Sequence, residues 1–506
     1  MIKNTFYVTA KIKIECLMKT KIIPHQKAGS FILFFVQIFS TMSFSILYST
    51  LVLYITNGLK LNDMFATTLT ATFVAFNYVL HLLGGIITGK LFSHRSLFAI
   101  GMVLQAFGAY ILSLGNLYLG LAIFLTGAGI NVTCINCILT QFYDPHDKKR
   151  EKAFLWNYSG MNIGFLVGFS ISGIFEKLQD YNTLFQIGAL SNILAFLIII
   201  SFYKYLKDIN TYFSLQKRLN KNILRLLGSL ILIGVIISLL FLLKFSNFSN
   251  SLIIFIGILM VFVIIFVALK QKSIISKEKY FAFLILTFMA VIFWTLYMTL
   301  PMGLTLFIEH NVNRVFFHVL IEPQWALNIN TIIIIIGGPL MAIMYKHLRL
   351  KGFKITIPIQ FTLALFLIGL GFVILGTSTN FADKNGFISF KWILLSYLLL
   401  SIGELCISPI GYAMIGQLIP SKHQGTMMGT WLMTSGIAAV FANMFSKIAI
   451  NNEKSDPLVT NPLFAKMFYL LGISTIFAGM ILLILVPFLH NMIKEKKSVE
   501  ESSLPR

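Results

Sequence analysis

Long apolar segments separated by short polar loops follow one another along the whole chain. Each segment is long enough to cross about 30 Å of hydrocarbon as a helix. The pattern therefore predicts an all-α integral membrane protein with fourteen spanning helices. The predicted spans cover residues 31–56, 66–91, 96–114, 117–142, 154–176, 184–203, 222–244, 251–270, 280–308, 328–346, 355–376, 390–418, 426–450 and 464–489.

The composition agrees with a membrane protein and explains the charge. The 506 residues are 57% hydrophobic and only 11% charged, whereas a soluble domain has about a quarter of its residues charged. A net charge of +22 would also suit a nucleic-acid partner. The lysines and arginines, however, lie in short loops and in the two tails, as expected for cytoplasmic segments. We therefore expect the lipid bilayer, and no nucleic acid, as a partner.

The basic loops fall on one side of the membrane if all fourteen segments span. These loops are residues 144–152, 204–225, 270–279, 345–354 and 421–424. The loops of the opposite side are mixed or neutral, as in residues 244–251, 378–387 and 451–457. This alternation predicts that a basic N-terminal tail, residues 1–30, and a C-terminal tail, residues 491–506, are both cytoplasmic.

Two pairs of similar segments indicate an internal repeat. GGIITGKLFSHR (84–95) and GGPLMAIMYKHLR (337–349) each place a glycine pair near the centre of a predicted helix and then enter a basic turn. GAGINVTCINCILTQ (127–141) and GELCISPIGYAMIGQ (403–417) have the same length from Gly to Gln. The two halves of the chain are therefore predicted to form similar helical bundles.

The repeat predicts the domain organisation and the class of function. Two six-helix bundles are expected at residues 31–204 and 280–490, with a linker at 205–279 that carries an inserted helix pair. Membrane proteins built from repeats place their binding site where the repeats meet and expose it alternately to either side. This organisation favours a transporter that works by alternating access.

Only two side chains that titrate in the useful range, Glu404 and His81, lie well inside the predicted spans. A charge at the bilayer centre costs at least ~2.5–3.5 kcal/mol, so such a residue faces the protein interior or a water-filled cavity and is a candidate for function. Near Glu404, Pro409 frees a backbone carbonyl around Leu405, as happens where backbone lines a cavity. The alternative for Glu404 is a protonated carboxyl in a structural hydrogen bond. The alternative for His81 is a buried neutral imidazole, although histidine titrates near neutral pH and suits a proton carrier.

Uncharged polar side chains are more numerous in the predicted spans. They are Asn77, Tyr78, Asn131, Asn136, Tyr158, Asn162, Asn330 and Trp431. Each one alone is more often an interhelical hydrogen bond than a ligand contact. Gathered around one cavity, they would suit a small polar solute.

The motifs around these residues resemble the proton-dependent oligopeptide transporter family, a branch of the major facilitator superfamily. The resemblance covers residues 31–490, and its strongest element is GELCISPIG (403–411), which resembles the family's tenth-helix signature. The other similar segments are NYSGMNIG (157–164), VIFWTLYMTLPMGLTLFIEHNVNR (291–314), IEPQWALNIN (321–330) and MMGTWLMTSG (427–436). The helix pair between the bundles is similar to that of prokaryotic members.

The resemblance implies a function and a set of site residues. In that family two bundles rock about a central cavity and carry di- and tripeptides inward together with protons. By resemblance, Glu404 faces the amino end of a peptide, and proton coupling is expected at Glu404 and His81. The other residues expected to bind the substrate are Ser408, Asn162, Asn330, Tyr78, Tyr158 and Trp431. A carboxylate in such a cavity provides a partner for an ammonium or a proton.

Several positions depart from the family's pattern. The first-helix ExxERFxYY aligns with QIFSTMSFS (37–45), which has neither acid nor arginine, and the fourth-helix lysine aligns with Val132. Gly89 and Met298 stand where the superfamily has an aspartate and the family often has an acid. Each missing cation removes a charge-assisted hydrogen bond to a peptide carboxylate, worth ~1.5–3 kcal/mol. We therefore expect altered peptide selectivity that favours a substrate with an amine and no free carboxylate.

Proton-coupled import of di- and tripeptides is the function that the sequence favours, and alternatives stay open because of these departures. One is a substrate-shifted or uncoupled transporter of amines, amino acids or drugs, and another is a non-transporting peptide-sensing receptor. An enzyme is not expected, because paired acids, a His cluster or a Ser/His/Asp set at membrane depth are lacking. No cofactor or metal site is expected. The usage of Ile, Lys and Asn indicates a bacterial inner membrane, and a monomer is assumed.

Overall fold

The computed structural model describes residues 2–143, 148–208, 211–353, 355–450 and 456–493. The predicted C-terminal tail lies outside the described residues from residue 494 onward, as do residues 144–147 and 451–455 of two predicted loops. Below, the ends of the spans that the charge pattern assigns to the outside are called outer ends.

All fourteen predicted spans are confirmed, because fourteen helical segments in the described part are long and apolar enough to cross a membrane. The α-helices are α1 (Ile2–Leu53), α2 (Asp63–Ile87), α3 (His94–Ser113), α4 (Leu117–Gln141), α5 (Lys148–Leu178), α6 (Tyr181–Ser201), α7 (Tyr212–Leu215), α8 (Arg218–Lys244), α9 (Ser246–Leu269), α10 (Ile274–Tyr297), α11 (Thr305–Asn311), α12 (Pro323–Leu350), α13 (Ile357–Ser378), α14 (Phe390–Leu418), α15 (Ser421–Ala449) and α16 (Pro457–Ile493). The first span itself covers Ala28–Gly58.

The ninth span is broken in its outer part. It runs from α10 through a π-helical turn at Leu300–Leu304 into α11. Pro301 has no backbone N–H to donate, and Met302 has non-helical backbone angles of φ −127° and ψ −107°. The span is therefore kinked at this point and does not form one continuous helix.

Four two-residue strands lie at the outer ends. Strand β1 (Val312–Asn313) pairs in parallel with β4 (Ile388–Ser389), and β2 (Val315–Phe316) pairs antiparallel with β3 (Val319–Leu320). The latter pair forms a hairpin directly before α12. Its two turn residues, Phe317 and His318, both have positive φ, which is the backbone geometry of tight two-residue hairpins.

Contacts divide the chain into two units. The first unit comprises Met1–Ser45, Leu80–Gly168 and Asn182–Leu240, and the second comprises Ile46–Val79, Phe169–Tyr181 and Phe241–Arg506. The unit boundaries fall inside α1, α2, α5, α6 and α8. The division predicted from the sequence consists of continuous stretches of the chain: bundles at 31–204 and 280–490 and a linker at 205–279. It stays a prediction.

The first unit has one apolar core between its helices. Its buried side chains come from α1, α3, α4, α6 and α8, among them Leu33, Phe98, Leu139, Ile199 and Leu232. Helices α3 and α4 cross closely at Gly108, where a Cβ atom would lie 2.4 Å from the backbone nitrogen of Phe124.

The repeat prediction needs one correction in this unit. Gly84 and Gly85 were expected near a helix centre, but they lie in the last turn of α2, which ends at Ile87. The second glycine pair, Gly337 and Gly338, does lie in the middle of α12. The basic turn begins closer to the glycine pair in the first copy than in the second, because the chain leaves the helix at Thr88.

The second unit contains α9 to α16 together with the outer parts of α1, α2 and α5. Helices α13 and α16 cross closely at two glycines. A Cβ atom at Gly472 would lie 2.8 Å from the carbonyl oxygen of Gly369. Aromatic rings fill the space beside this crossing, with ring centroids of Phe307 and Phe372 at 4.9 Å and 5.8 Å from that of Phe468. Helix α14, whose central residues form the candidate site, packs against α13, and a Cβ atom at Gly403 would lie 3.1 Å from the carbonyl oxygen of Ala364.

Candidate functional site

One face of α14 carries a column of polar side chains. Tyr397, Ser401, Glu404 and Ser408 are spaced by four, three and four residues, which places them on one side of a helix. The Ser401 hydroxyl donates to the Tyr397 carbonyl at 2.6 Å. Helix α14 continues through Pro409. Glu404 lies at the middle of this column and is only 8% exposed.

The Glu404 carboxylate is held by groups from two other helices of the second unit. Asn330 of α12 donates its Nδ2 to Glu404 Oε2 at 2.9 Å and to Ser401 Oγ at 3.0 Å. The Tyr297 hydroxyl of α10 donates to Asn330 Oδ1 at 3.3 Å, and it is also within hydrogen-bond reach of the carboxylate. The predicted pair Glu404 and Asn330 is therefore in direct contact.

Further tyrosines surround this carboxylate. Tyr48 of α1 and Tyr78 of α2 are close enough to act on each other, and Tyr48 and Tyr297 also act electrostatically on Glu404. The Tyr397 hydroxyl is buried and has no hydrogen-bond partner among the described residues. Neutral hydroxyl and amide groups thus provide the polar surroundings of Glu404.

No cation neutralises Glu404 within the part of the chain that the structure describes. The ion pairs found there are those of Arg314 with Glu309 and Glu322 and that of His310 with Asp63, all at outer ends. A carboxylate has about four acceptor positions, and the donors seen at this one among the described residues are Asn330 and Tyr297. The site can therefore accept an ammonium group or bind a proton.

Trp431 of α15 packs onto α14 about two helical turns beyond Glu404. Its indole lies against Gly411, where a Cβ atom would come within 2.0 Å of the ring. The ring also lies 6.2 Å from that of Phe361, and the side chain is 4% exposed. The close approach of the Trp431 indole to α14 therefore requires glycine at residue 411. The indole is packed against α14 and does not extend freely. Ser408 lies half-buried on the same helix.

The other predicted site residues belong to the first unit. The Asn162 side chain donates to the Tyr158 carbonyl at 2.9 Å, one turn earlier on α5, and the Tyr158 ring is exposed. His81 is buried, and its Nδ1 lies 2.9 Å from the Gly129 carbonyl oxygen. One ring nitrogen is therefore hydrogen-bonded to a backbone carbonyl, as expected if His81 is a buried neutral imidazole. The substrate and proton roles assigned to these three residues stay predictions.

The positions that depart from the family pattern are filled by neutral groups. Gln37 donates to the Thr41 hydroxyl at 2.8 Å within α1. Val132 is 42% exposed on α4, and Met298 is buried at the end of α10. None of these side chains can bind a carboxylate as a cation would.

Sequence reasoning missed four residues of the site: Tyr48, Tyr297, Tyr397 and Ser401. Two of them could have been found, because Tyr397 and Ser401 repeat at helical spacing from Glu404. Tyr48 and Tyr297 come from distant helices, and no local pattern marks them.

The helices and the site define a multi-pass membrane transporter of the major facilitator fold. The sequence profile of the POT family matches residues 90–461. The chain belongs to this family, as the resemblance predicted, and the predicted location as a multi-pass protein of a bacterial inner membrane is confirmed.

Relatives and solved structures cover nearly the whole chain. The dipeptide and tripeptide permease B of Xenorhabdus bovienii is 28% identical over 473 residues, covering 92% of this chain and 96% of the relative. The dipeptide and tripeptide permease A of Cronobacter turicensis is 25% identical, over 94% of this chain and 95% of the relative.

Solved structures share the fold. A peptide transporter POT in complex with sulfate superposes with a TM-score of 0.80 at 21% identity, covering 92% of this chain and 96% of the other. A POT family transporter in complex with 5-aminolevulinic acid gives a TM-score of 0.79 at 21% identity, covering 91% and 96%.

Proposed function

We propose that this protein imports small peptides through the membrane by alternating access, with Glu404 as the group that binds the substrate's ammonium and the coupled proton. The observation that carries the proposal is the buried Glu404 carboxylate, which has two neutral donors and no cation among the described residues. An unneutralised buried carboxylate is costly. A site that binds a cation or a proton in each cycle offsets that cost. The named permease function of the relatives supports a peptide as the substrate.

The site is suited to the amino end of a substrate and lacks a counterpart for its carboxyl end. The positions that align with the family's arginine and lysine carry the neutral side chains of Thr41 and Val132, so charge-assisted bonds to a carboxylate are lacking at these two positions. We therefore expect a peptide whose carboxylate is amidated to bind about as well as the free peptide. Acetylation of the amino end, in contrast, would remove the group that Glu404 binds and weaken binding at least about tenfold.

A second candidate is a transporter of amine-bearing solutes that are not peptides. It is favoured by the same asymmetry of the site, and a solved relative is in complex with 5-aminolevulinic acid, a small amino acid and not a peptide. The two candidates share Glu404 as the ammonium partner and differ in the length of the substrate that is carried.

The experiment is uptake of a labelled dipeptide into proteoliposomes, with and without an inward proton gradient. We expect uptake to rise with the gradient in the wild type and to fall at least about tenfold in Glu404→Gln, because the amide cannot bind a proton or pair with an ammonium. Ser396→Ala is a matched control on the same helix, since the Ser396 hydroxyl is buried without a hydrogen-bond partner in the described part of the chain.

Each other outcome has a distinct meaning. Uptake that ignores the gradient would indicate an uncoupled facilitator. Competition by amines or amino acids without peptide uptake would favour the second candidate. Ligand binding by folded protein with no uptake of any solute would indicate a receptor and contradict transport.

A further inference from the structure

An apolar crevice of about 440 Å³ lies between three helices of the second unit, α9, α10 and α15. We call it the lateral crevice. Its walls include Met260 and Ile264 of α9, Thr287 and Phe288 of α10, and Met433 and Thr434 of α15. Protein interiors contain few voids larger than a water molecule, whereas ligand pockets measure about 300–1,000 Å³ and are mostly apolar. The crevice therefore has the size of a ligand site and not that of a packing defect.

A close helix crossing bounds the crevice at one end. A Cβ atom at Gly257 of α9 would lie 2.5 Å from Cδ1 of Ile437 of α15, so the two helices touch there. Met260 and Ile264 follow Gly257 toward the inner end of α9, the end that the charge pattern assigns to the cytoplasm, and Met433 lies on the same side of Ile437. The crevice thus extends from the crossing toward the cytoplasm.

The depth of the crevice matches the hydrocarbon of the inner leaflet. At 1.5 Å per residue, Gly257 and Ile264 stand about 18 Å and about 8 Å from the inner end of α9 at Leu269. On α15 the lining residues fall within 430–437, and their span begins at Thr426. One leaflet contributes about 15 Å of hydrocarbon, half of the ~30 Å core of a bilayer. The crevice therefore runs along the acyl chains of one leaflet.

One side of the crevice opens onto the lipid-facing surface. Val261 of α9 and Phe288 of α10 line it and are 41% and 64% exposed, whereas Met433 and Thr434 at its back are 6% and 1% exposed. Phe262, next to Val261, is 63% exposed on the same helix. The medium around these side chains at this depth is hydrocarbon. The crevice is therefore continuous with the surface that the bilayer covers, and an acyl chain reaches it from the side.

The polar groups of the lining do not suit a charged ligand. The Thr430 and Thr434 hydroxyls donate to backbone carbonyls of their own helix at 3.0 Å and 2.6 Å. The Thr287 hydroxyl is buried and has no hydrogen-bond partner among the described residues. The described residues that line the crevice include no charged side chain. A phospholipid headgroup or a peptide would therefore lose its hydration there without gaining ionic partners, whereas hydrocarbon fits.

We propose that the lateral crevice binds one acyl chain of a membrane phospholipid, held between α9 on one side and α10 and α15 on the other. The bound chain fills the space that the side chains leave open, and it supplies the van der Waals contacts that the walls of an empty cavity would lack. The headgroup stays at the cytoplasmic membrane surface. The proposal goes beyond the transport function, because it assigns a lipid ligand to a site separate from the one at Glu404.

The test is photo-crosslinking in proteoliposomes of a phosphatidylcholine that carries a diazirine in the middle of one acyl chain. Peptide mass spectrometry maps the residues that the activated chain labels. Surrounding lipid labels exposed residues such as Phe262 and does not reach the buried Met433 and Thr434 unless a chain enters the crevice. We expect label at Met433 and Thr434 as well as at Phe262, which serves as the internal standard.

Two variants fill the crevice from opposite walls. Thr287→Phe places a ring in it from α10, and Met260→Trp places an indole in it from α9. In each, the label at Met433 and Thr434 should fall at least about tenfold relative to the label at Phe262, because the chain loses buried methylenes. Size-exclusion chromatography checks that each variant is folded, and if one filling variant does not fold, the other carries the test.

The matched control is Thr287→Val, which removes the unpartnered hydroxyl and has nearly the same shape. It should keep the label at Met433 and Thr434, because hydrocarbon needs no hydrogen bond.

Three results would overturn the proposal. They are the absence of label at Met433 and Thr434 in the wild type, label there that persists in both filling variants, and loss of that label in Thr287→Val, which would indicate a ligand bound through a polar group. The measurement uses no peptide and no proton gradient. A failure of peptide uptake therefore leaves it interpretable, and the two proposals can fail separately.

Discussion

Glu404 and Glu176 are both carboxylates buried in the second unit, at 8% and 2% exposure, and their surroundings differ. Glu404 has two donors, Asn330 and Tyr297, and tyrosines around them. Glu176 has four donors, one of which comes from the opposing helix α12. Two donors leave acceptor positions of the Glu404 carboxylate free, whereas four donors reach the Glu176 carboxylate.

The difference shows how the same side chain can serve two purposes. An incompletely satisfied carboxylate gains most from an incoming ligand, because buried charge without partners is costly. A fully satisfied carboxylate gains nothing from a ligand and instead resists separation of the groups that surround it. The structure thus favours Glu404 as a binding group and Glu176 as a closing group.

The largest expected effect comes from forcing apart α5 and α12, which meet where Gly173 lies against the Trp325 indole and Trp325 Nε1 donates to the Ser170 carbonyl. Gly173→Leu would place side-chain atoms where the Trp325 indole now lies, 2.2 Å from the position of Cβ. Overpacking of this kind costs ~1–3 kcal/mol, so we expect uptake to fall at least about tenfold while peptide binding to the detergent-solubilised protein is kept. Ile174→Leu is the control, because Ile174 is the next residue and is 50% exposed. Normal uptake by Gly173→Leu would show that close approach is not needed.

Two asparagines on α12 allow the two carboxylate regions to be compared directly. Asn330 donates to Glu404, and Asn328, two residues earlier, donates to Ser170 of α5. We expect Asn330→Ala to weaken peptide binding about tenfold, from the loss of a hydrogen bond to a charged group. Asn328→Ala should leave binding within about twofold and lengthen the distance between spin labels at Lys177→Cys on α5 and Val319→Cys on the hairpin before α12, both at exposed positions. Titration calorimetry and the spin-label distance measure the two effects, and equal effects of both variants on binding would remove the distinction.

The smallest expected effect concerns the support of Asn330. Ser401 accepts from Asn330 Nδ2 at 3.0 Å and so helps to orient the amide toward Glu404. We expect Ser401→Ala to weaken peptide binding about threefold, in line with a neutral hydrogen bond of ~0.5–1.5 kcal/mol. Ser396→Ala, on the same helix, should have no effect on affinity. An unchanged affinity in Ser401→Ala would mean that Tyr297 alone orients the amide.

Most of the fold could be predicted, because a bilayer imposes strong constraints on sequence. Spans of apolar residues and alternating basic loops predict the helices that the structure contains. The break at Leu300–Leu304 is a local effect of Pro301 inside a long apolar segment. Hydropathy averages over such a segment, so it predicts the span and misses the kink.

The site was predicted in part, for an equally physical reason. Glu404 is conspicuous because a carboxylate in the middle of an apolar segment is expensive. Glu176 stands at the end of a predicted span, where a charged residue usually faces water. Its burial depends on Asn57, Tyr181 and Gln324, which come from three other parts of the chain. Only the tertiary structure reveals that contact.

The neutrality of the donors around Glu176 also has a consequence for ionic strength. Dissolved ions screen exposed charge pairs and act little on buried ones. Arg314 and Glu309 have side chains that are each 18% exposed, so the attraction between them weakens as salt rises. The bonds to Glu176 are buried and join a charge to neutral dipoles, so they keep their strength. The outer contact between α5 and α12 should therefore hold equally well in dilute and in salty surroundings.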